Sequence, residues 1–216
     1  MKTCKLLREQ VAAATGSKKA ELVLKNAQIV NVFTQSVETG DIAIEGGYIV
    51  GIGNYEGITE KDLGGAYVCP GFLDGHIHIE SSMTSPGEFE RAVVPHGTIA
   101  VITDPHEIAN VAGTAGIRFM MQSAQKLDLD VYFMLPSCVP ATDLDESGAE
   151  LLARDLEPFY ADEKVLGLAE MMNAFGVTHG DKGCFEKLVQ ARSLKKAIDG
   201  HAPALSGKEL NAYVTA

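Results

Sequence analysis

Hydrophobic positions recur along this chain in three different rhythms. From about Thr3 to Ala14 they fall at helical spacing and predict a short amphipathic helix, stopped by Thr15-Gly16-Ser17. From Ala20 to about Tyr67 the rhythm changes to short β-type runs. Glu21-Leu22-Val23-Leu24 and Gln28-Ile29-Val30-Asn31-Val32 come first, then Asp41-Ile42-Ala43-Ile44 and Tyr48-Ile49-Val50-Gly51-Ile52. Each run is bounded by Gly, Asn or Asp, and Glu45-Gly46-Gly47 predicts a hairpin turn. The expectation is a small antiparallel sheet. It is too short to stand as a β-domain alone and needs something to pack against or to complete it.

From Val68 onward, near-continuous apolar strands alternate with helices. The predicted strands are Gly71–Ile79, Ile99–Thr103, Val131–Pro136, Val165–Glu170 and Ala197–Ala202. The predicted helices are Pro86–Val94, Gly116–Leu127, Gly148–Phe159 and Cys184–Leu194, with a fifth starting at Gly207-Lys208-Glu209-Leu210. This α/β pattern indicates a parallel sheet covered by helices. A (β/α)8 barrel takes roughly 31 residues per βα unit, so Val68 to Ala216 has room for about five. Either the sheet is open and five-stranded, or it is the front of an incomplete (β/α)8 barrel. The latter is favoured, because Ala212-Tyr213-Val214-Thr215-Ala216 carries no polar tail or helix stop and reads as ending in mid-structure. Two domains are expected: residues 1–67, a helix and a β-rich segment, and residues 68–216, the partial barrel.

Composition narrows the function classes. With 216 residues, 46% of them hydrophobic and 22% charged, the chain can fill a sizeable core, which excludes low-complexity disorder. Its apolar stretches are broken well short of the roughly 20 residues a membrane helix needs. Lys and Arg total 18 against 29 Asp and Glu, a formal charge of −11. That acidity argues against a nucleic-acid binder. Charges in Met1-Lys2-Thr3-Cys4-Lys5-Leu6-Leu7-Arg8 occupy the place of a signal peptide's apolar run. Four cysteines, at 4, 69, 138 and 184, form no C-x-x-C pair and read as free thiols in a reducing cytoplasm.

The sharpest chemical signal is Pro70-Gly71-Phe72-Leu73-Asp74-Gly75-His76-Ile77-His78. Residues i and i+2 of a strand face the same side, so two imidazoles at that spacing can converge on one metal ion. Other polar groups end the later strands: Thr103-Asp104-Pro105-His106-Glu107, Glu170 and His201. That is the rim where barrel enzymes build their sites. A lone Glu170 after Val165-Leu166-Gly167-Leu168-Ala169 is costly to bury unless paired or bound to a cation. His96 precedes a strand and reads as structural, whereas His179, in the loop after the fourth strand, could approach a substrate. The pairs Met120-Met121 and Met171-Met172 read as core filling. P-loop, dinucleotide, G-x-S-x-G and cytidine-deaminase-type zinc signatures are absent from the sequence.

At these residues the chain resembles the amidohydrolase superfamily of metallo-dependent hydrolases, and within it the bacterial adenine deaminases. The general resemblance rests on Ile49-Val50-Gly51-Ile52-Gly53 and on the Pro70–His78 stretch. The narrower one rests on His76-Ile77-His78-Ile79-Glu80-Ser81-Ser82-Met83, Thr103-Asp104-Pro105-His106-Glu107-Ile108-Ala109-Asn110-Val111, Glu170-Met171-Met172-Asn173 and Gly200-His201-Ala202-Pro203. It spans essentially the whole chain but only the N-terminal part of such a protein. The resemblance implies metal-dependent hydrolysis of adenine to hypoxanthine and ammonia, a purine-salvage reaction. It also implies a barrel accompanied by a β-rich domain made from both chain ends. His76 and His78 would be first-strand ligands, Glu170 the bridging carboxylate and His201 the fifth-strand ligand. Asp104, His106 and Glu80 would support these ligands or contact the purine. The resemblance points to manganese or iron, one ion or two, while imidazole and carboxylate donors also suit zinc.

Many relatives carry a carboxylated lysine on the fourth strand. Here that strand has Glu170, and Lys164 sits at its far end, which disfavours dihydroorotase-like and hydantoinase-like branches. The superfamily also takes a histidine from strand six and an aspartate, usually the proton shuttle, from strand eight. The chain contains neither, so no catalytic residue is assigned and a truncated form with little activity is expected. Two alternatives stay open. One is another Glu-type amidohydrolase, such as an N-acetylglucosamine-6-phosphate deacetylase relative, although the loops offer few basic residues for a sugar phosphate. The other is a non-catalytic truncated product that binds metal or another chain. The expected partner is adenine, with no nucleic acid and no membrane, and homo-oligomers are common among such relatives.

Overall fold

The computed structural model describes residues 3–142 and 144–216. The chain divides into two compact units between Pro70 and Gly71.

In the first unit, helix α1 (Cys4–Ala14) starts where the Thr3 hydroxyl accepts a hydrogen bond from the Leu6 N–H at 3.2 Å. Strands β1 (Ala20–Asn31), β2 (Ser36–Glu45), β3 (Tyr48–Gly53), β4 (Gly57–Asp62) and β5 (Tyr67–Val68) follow. The hairpin between β2 and β3 turns on Gly46 and Gly47, at φ 57° and 76°, the positive pair that a two-residue turn of this hand needs. The sheet is not the purely antiparallel one expected: β1 pairs antiparallel with β2 but parallel with β4 and with β5. Side-chain alternation reports which face is buried and carries no information on strand direction. β4 also escaped the sequence reading, because Thr59-Glu60-Lys61-Asp62 is exposed and polar, as an edge strand can be.

The second unit is a five-stranded sheet, β6 (Phe72–Ile77), β7 (Thr98–Thr103), β8 (Asp130–Leu135), β9 (Val165–Met171) and β10 (Ala197–Gly200). The strands lie side by side in chain order and every pairing is parallel. Helices α2 (Pro86–Val93), α3 (His106–Ala112), α4 (Thr114–Ser123), α5 (Ala153–Leu156), α6 (Ala174–His179), α7 (Lys182–Ser193) and α8 (Gly207–Thr215) make the crossovers and the C-terminal segment. The core is built from central-strand residues such as Val101, Phe133, Leu135 and Leu168, packed with Ile117, Met120, Leu156 and Leu188 from the helices. Among the described residues, no helix is long and apolar enough to cross a membrane.

The sheet is strongly curled. Laid flat, four gaps of about 4.8 Å would separate the first and last strands by roughly 19 Å. Yet the His76 ring on β6 comes within 3.2 Å of the Asp199 carboxylate on β10. Five sequential parallel strands curled in this way are the front of a (β/α) barrel.

Three helix expectations shift. The stretch expected to be helical over Gly148–Phe159 is helical only from Ala153, and a 3-10 turn over Glu157–Ala161, with Pro158 near its start, replaces its second half. Gly148 instead donates to the Asn110 carbonyl at 2.8 Å and packs so closely that a Cβ would lie 2.6 Å from the Val111 oxygen. Helices α3 and α6 lie outside the predicted helices; they are 7 and 6 residues long, too short to show a periodicity.

The β9–β10 pairing gives a test. A Cβ on Gly167 would lie 2.1 Å from the Ala197 carbonyl oxygen and 2.9 Å from the Met134 terminal methyl. Gly167→Ala should lower stability by about 1–3 kcal/mol, the usual cost of overpacking. Urea unfolding measures it, and a loss under about 0.5 kcal/mol would mean that β10 yields without cost.

Candidate metal centre

Parallel strands in chain order place all their C-terminal ends on one rim. His76 is on β6, and His78 follows it at the entry of a 3-10 turn, Ile79–Ser82. The Asp104 N–H donates to the Ile77 carbonyl at 3.1 Å, extending the β6–β7 ladder by one step, and His106 opens α3 directly afterwards. Glu170 is in β9 and His201 follows β10.

These side chains converge on Glu170, which is 5% exposed. The Nε2 atoms of His201 and His76 lie 2.5 and 3.1 Å from its Oε2, and His78 Nε2 lies 3.6 Å from its Oε1. His106 Nδ1 is 3.3 Å from Oε1 and 2.8 Å from Asp104 Oδ2. Two groups of donor atoms result, each within a span of 4.8 Å: His76, Glu170 and His201, and His78, Asp104, His106 and Glu170. Glu170 belongs to both.

The surroundings of the rings constrain their tautomers. His78 Nδ1 is 2.9 Å from the Asp104 main-chain oxygen, which can only accept, so that nitrogen carries the hydrogen and the neutral ring leaves Nε2 with a bare lone pair. His76 has an acceptor at each nitrogen, Asp199 Oδ2 at 3.2 Å from Nδ1 and Glu170 Oε2 at 3.1 Å from Nε2. The two Nε2 atoms are 3.2 Å apart, so a hydrogen on His76 Nε2 or a cation between the rings joins them. An ion bonded at about 2.1 Å holds adjacent donors roughly 3 Å apart, close to the 3.1 and 3.2 Å separations of His76 Nε2 from Glu170 and His78, whereas His201 and Glu170 at 2.5 Å are in direct hydrogen-bond contact. Asp104 Oδ1, fully buried and without a hydrogen-bond partner, is a further unsatisfied acceptor. The donor set fits a divalent metal.

Electrostatics separates the roles of the acids. Burial pushes the Asp104 carboxyl above its ordinary range, opposed by the hydrogen bond from His106. That same bond raises the His106 imidazole above its usual value against the effect of burial. Burial likewise raises Glu80, whose Oε1 accepts from the Ile108 N–H at 3.3 Å while Oε2 is buried and unpartnered. Glu80 faces α3 and is not in either donor group. His179, at the end of α6, stacks on Phe175 with ring centroids 3.9 Å apart and is likewise outside both groups. His96 ends a 3-10 turn before β7, at the opposite end of that strand from the rim. Lys164 is paired with Asp130 at the start of β9. All four cysteines are free.

Asp199 is the residue the sequence reading passed over. Its signal was present, since 199 and 201 stand at i and i+2 and so share a face. A carboxylate behind a ligating histidine orients the ring and raises its basicity.

With this geometry established, the comparisons place the chain. It belongs to the amidohydrolase family, whose sequence profile matches residues 67–216. Within that family it is 54% identical over 212 residues to adenine deaminase 2 of Carboxydothermus hydrogenoformans and 52% identical over 211 residues to the adenine deaminase of Bacillus pumilus. Each alignment covers 98% of this chain, and the chain spans 37% of the length of these relatives. Among solved structures, a dihydroorotase superposes with a TM-score of 0.56 at 22% identity, over 90% of this chain and 55% of the other. N-isopropylammelide isopropylaminohydrolase from Burkholderia multivorans gives 0.56 at 18%, over 90% and 56%. At such identities these two establish the fold alone, an amidohydrolase (β/α) barrel. The family implies divalent-metal use.

Two outcomes check the centre. Asp199→Ala should weaken manganese binding at least about tenfold by calorimetric titration; an affinity within twofold of the parent would remove Asp199 from the centre. The second concerns pH in the metal-free chain. His106 is raised above its unfolded value of about 6.5, so its pairing with Asp104 stabilises fully below that value and fades as pH rises through the folded value. The stability gap between the parent and His106→Asn should therefore be wide at about pH 6 and narrow at about pH 9 in urea unfolding with chelator present. A gap that widens with pH contradicts the pairing.

Proposed function

We propose that this chain carries the metal-binding half of an adenine deaminase site, with His76, His78, Glu170 and His201 as ligands of a divalent ion, manganese or iron in preference to zinc. The observation that supports it most is the convergence of three Nε2 atoms on one buried carboxylate. When bound, such an ion supplies Lewis acidity and lowers the pKa of water toward about 7.

The residues of the chain do the rest. With an ion on the two Nε2 atoms, the Asp104 carbonyl and the Asp199 carboxylate would accept the Nδ1 hydrogens of His78 and His76. Asp104, His106 and Glu80 form the substrate side. The amidine edge of adenine presents a ring nitrogen acceptor beside an amino donor. A carboxyl that keeps its proton can match that pair by donating and accepting at once, and burial shifts Glu80 in that direction. His106 and Asp104 hold a proton between them at 2.8 Å and could pass one to a departing amine.

Residues 1–67 are read as part of a β-rich domain and residues 68–216 as the leading part of the barrel. The free thiols support a cytoplasmic setting, and self-association is expected. The activity is proposed for a polypeptide with the full donor set; this chain spans 37% of the length of its relatives.

The manganese-loaded chain, titrated with adenine and separately with N-acetylglucosamine 6-phosphate, tests this. Adenine should bind only with metal present, and Glu170→Gln should abolish binding. Ammonia release should stay far below a typical enzymatic rate of about 10 per second. Preference for the sugar phosphate, or adenine binding indifferent to metal, would overturn the reading.

A further inference from the structure

Glu170 sits where the ladder between β8 and β9 runs out. The last residues paired there are Leu135 and Leu168, whereas β9 stays paired with β10 as far as Met171, so the main-chain groups of β9 on its β8 side need other partners. Side chains supply these. The Ser137 hydroxyl donates to the Glu170 carbonyl at 2.6 Å, the Met172 N–H donates to Cys138 Sγ at 3.2 Å, and the Tyr213 hydroxyl of α8 donates to the Met171 carbonyl at 2.5 Å. The Ser137 carbonyl is in turn gripped by Lys187 Nζ from α7 at 2.6 Å.

Lys187 is an expensive way to fill that space. It is 8% exposed, and the Ser137 carbonyl is its one hydrogen-bond partner among the described residues. Burial pushes its ammonium below the ordinary lysine value. An apolar side chain of similar volume would pack there without stranding a charge. Packing therefore explains the stem of Lys187 and leaves the amine unexplained.

We propose that Lys187 is a positioning residue for the metal centre, acting through Ser137: the bonds Lys187 Nζ to Ser137 O and Ser137 Oγ to Glu170 O hold the end of β9 where the histidine rings meet. This rests on the reading of Glu170 as a metal ligand. The relay runs in series. The amine fixes the peptide that carries Ser137, and the hydroxyl fixes the peptide that carries Glu170. Its first link is buried between α7 and the end of β8, away from the rings, so Lys187 acts on the centre only through the placement of Glu170.

The test compares the parent chain with Lys187→Met, Ser137→Ala and the double variant. Metal-free hydrogen exchange is followed over residues 165–173, thermal unfolding is recorded, and each protein is titrated with cobalt(II). Lys187→Met should keep or raise the unfolding temperature, speed exchange at the amides of 171–173, and weaken cobalt binding about tenfold. Ser137→Ala should do the same to exchange and binding. The double variant should bind no more weakly than Ser137→Ala, because two links in one chain are not additive. Unchanged exchange in Lys187→Met overturns the proposal, as do additive losses in the double variant. A fall in unfolding temperature that accompanies the loss of affinity assigns Lys187 to packing and also overturns it. A parent chain that binds no cobalt defeats the reading of the centre, while the exchange comparison still decides the relay.

Discussion

A carboxylate that is almost wholly buried must be matched by positive charge or by donated hydrogens, and Glu170 organises this molecule around that requirement. Its two oxygens are approached by rings from three other strand ends, those of His76 and His78, of His106 and of His201. Behind two of those rings, His76 and His78, Asp199 and the Asp104 carbonyl stand as acceptors for a hydrogen on the outer nitrogen. The inward side is thus rich in lone pairs and poor in hydrogens. That imbalance makes a cation the natural occupant, and it exists only because the parallel sheet curls far enough for its first and fifth strands to face each other.

The scaffold serves this end by finishing its strand ends with side chains. Pairing of β9 with β8 stops at Leu168, and beyond it Ser137, Cys138 and Tyr213 bond main-chain groups at the end of β9. Such bonds cost more sequence specificity than a ladder does, but they can be placed one residue at a time. The end of β9 that carries Glu170 is therefore held by side chains from the end of β8 and from α8.

Much of this was legible in the sequence because the signals were local. His76 and His78 share a face by strand periodicity, and Glu170 stands out as the one acid ending an apolar run. The alternation of strands and helices after Val68 showed the parallel sheet. What escaped was non-local or too short to be periodic. The parallel pairing of β1 with β4 depends on a connection that alternation does not report, and β4 is too polar to read as a strand. α3 spans barely two turns, so His106 was read with the end of the second strand when it is the first residue of a helix. Ser137 and Lys187 are 50 positions apart and meet through a main-chain carbonyl, which no residue pattern announces. Asp199 was readable, since it alternates with His201, but its role emerges only once β6 is seen opposite it.

β6 and β10 are the two unpaired borders of the sheet, and each carries a donor. An ion held jointly by His76 and His201 would therefore tie residues 125 positions apart into a closed covalent-like loop. Tethers of that length remove the most freedom from an unfolded chain. The ion would then act as a clasp for the curl as well as a reagent, linking the shape of the sheet to the filling of the site.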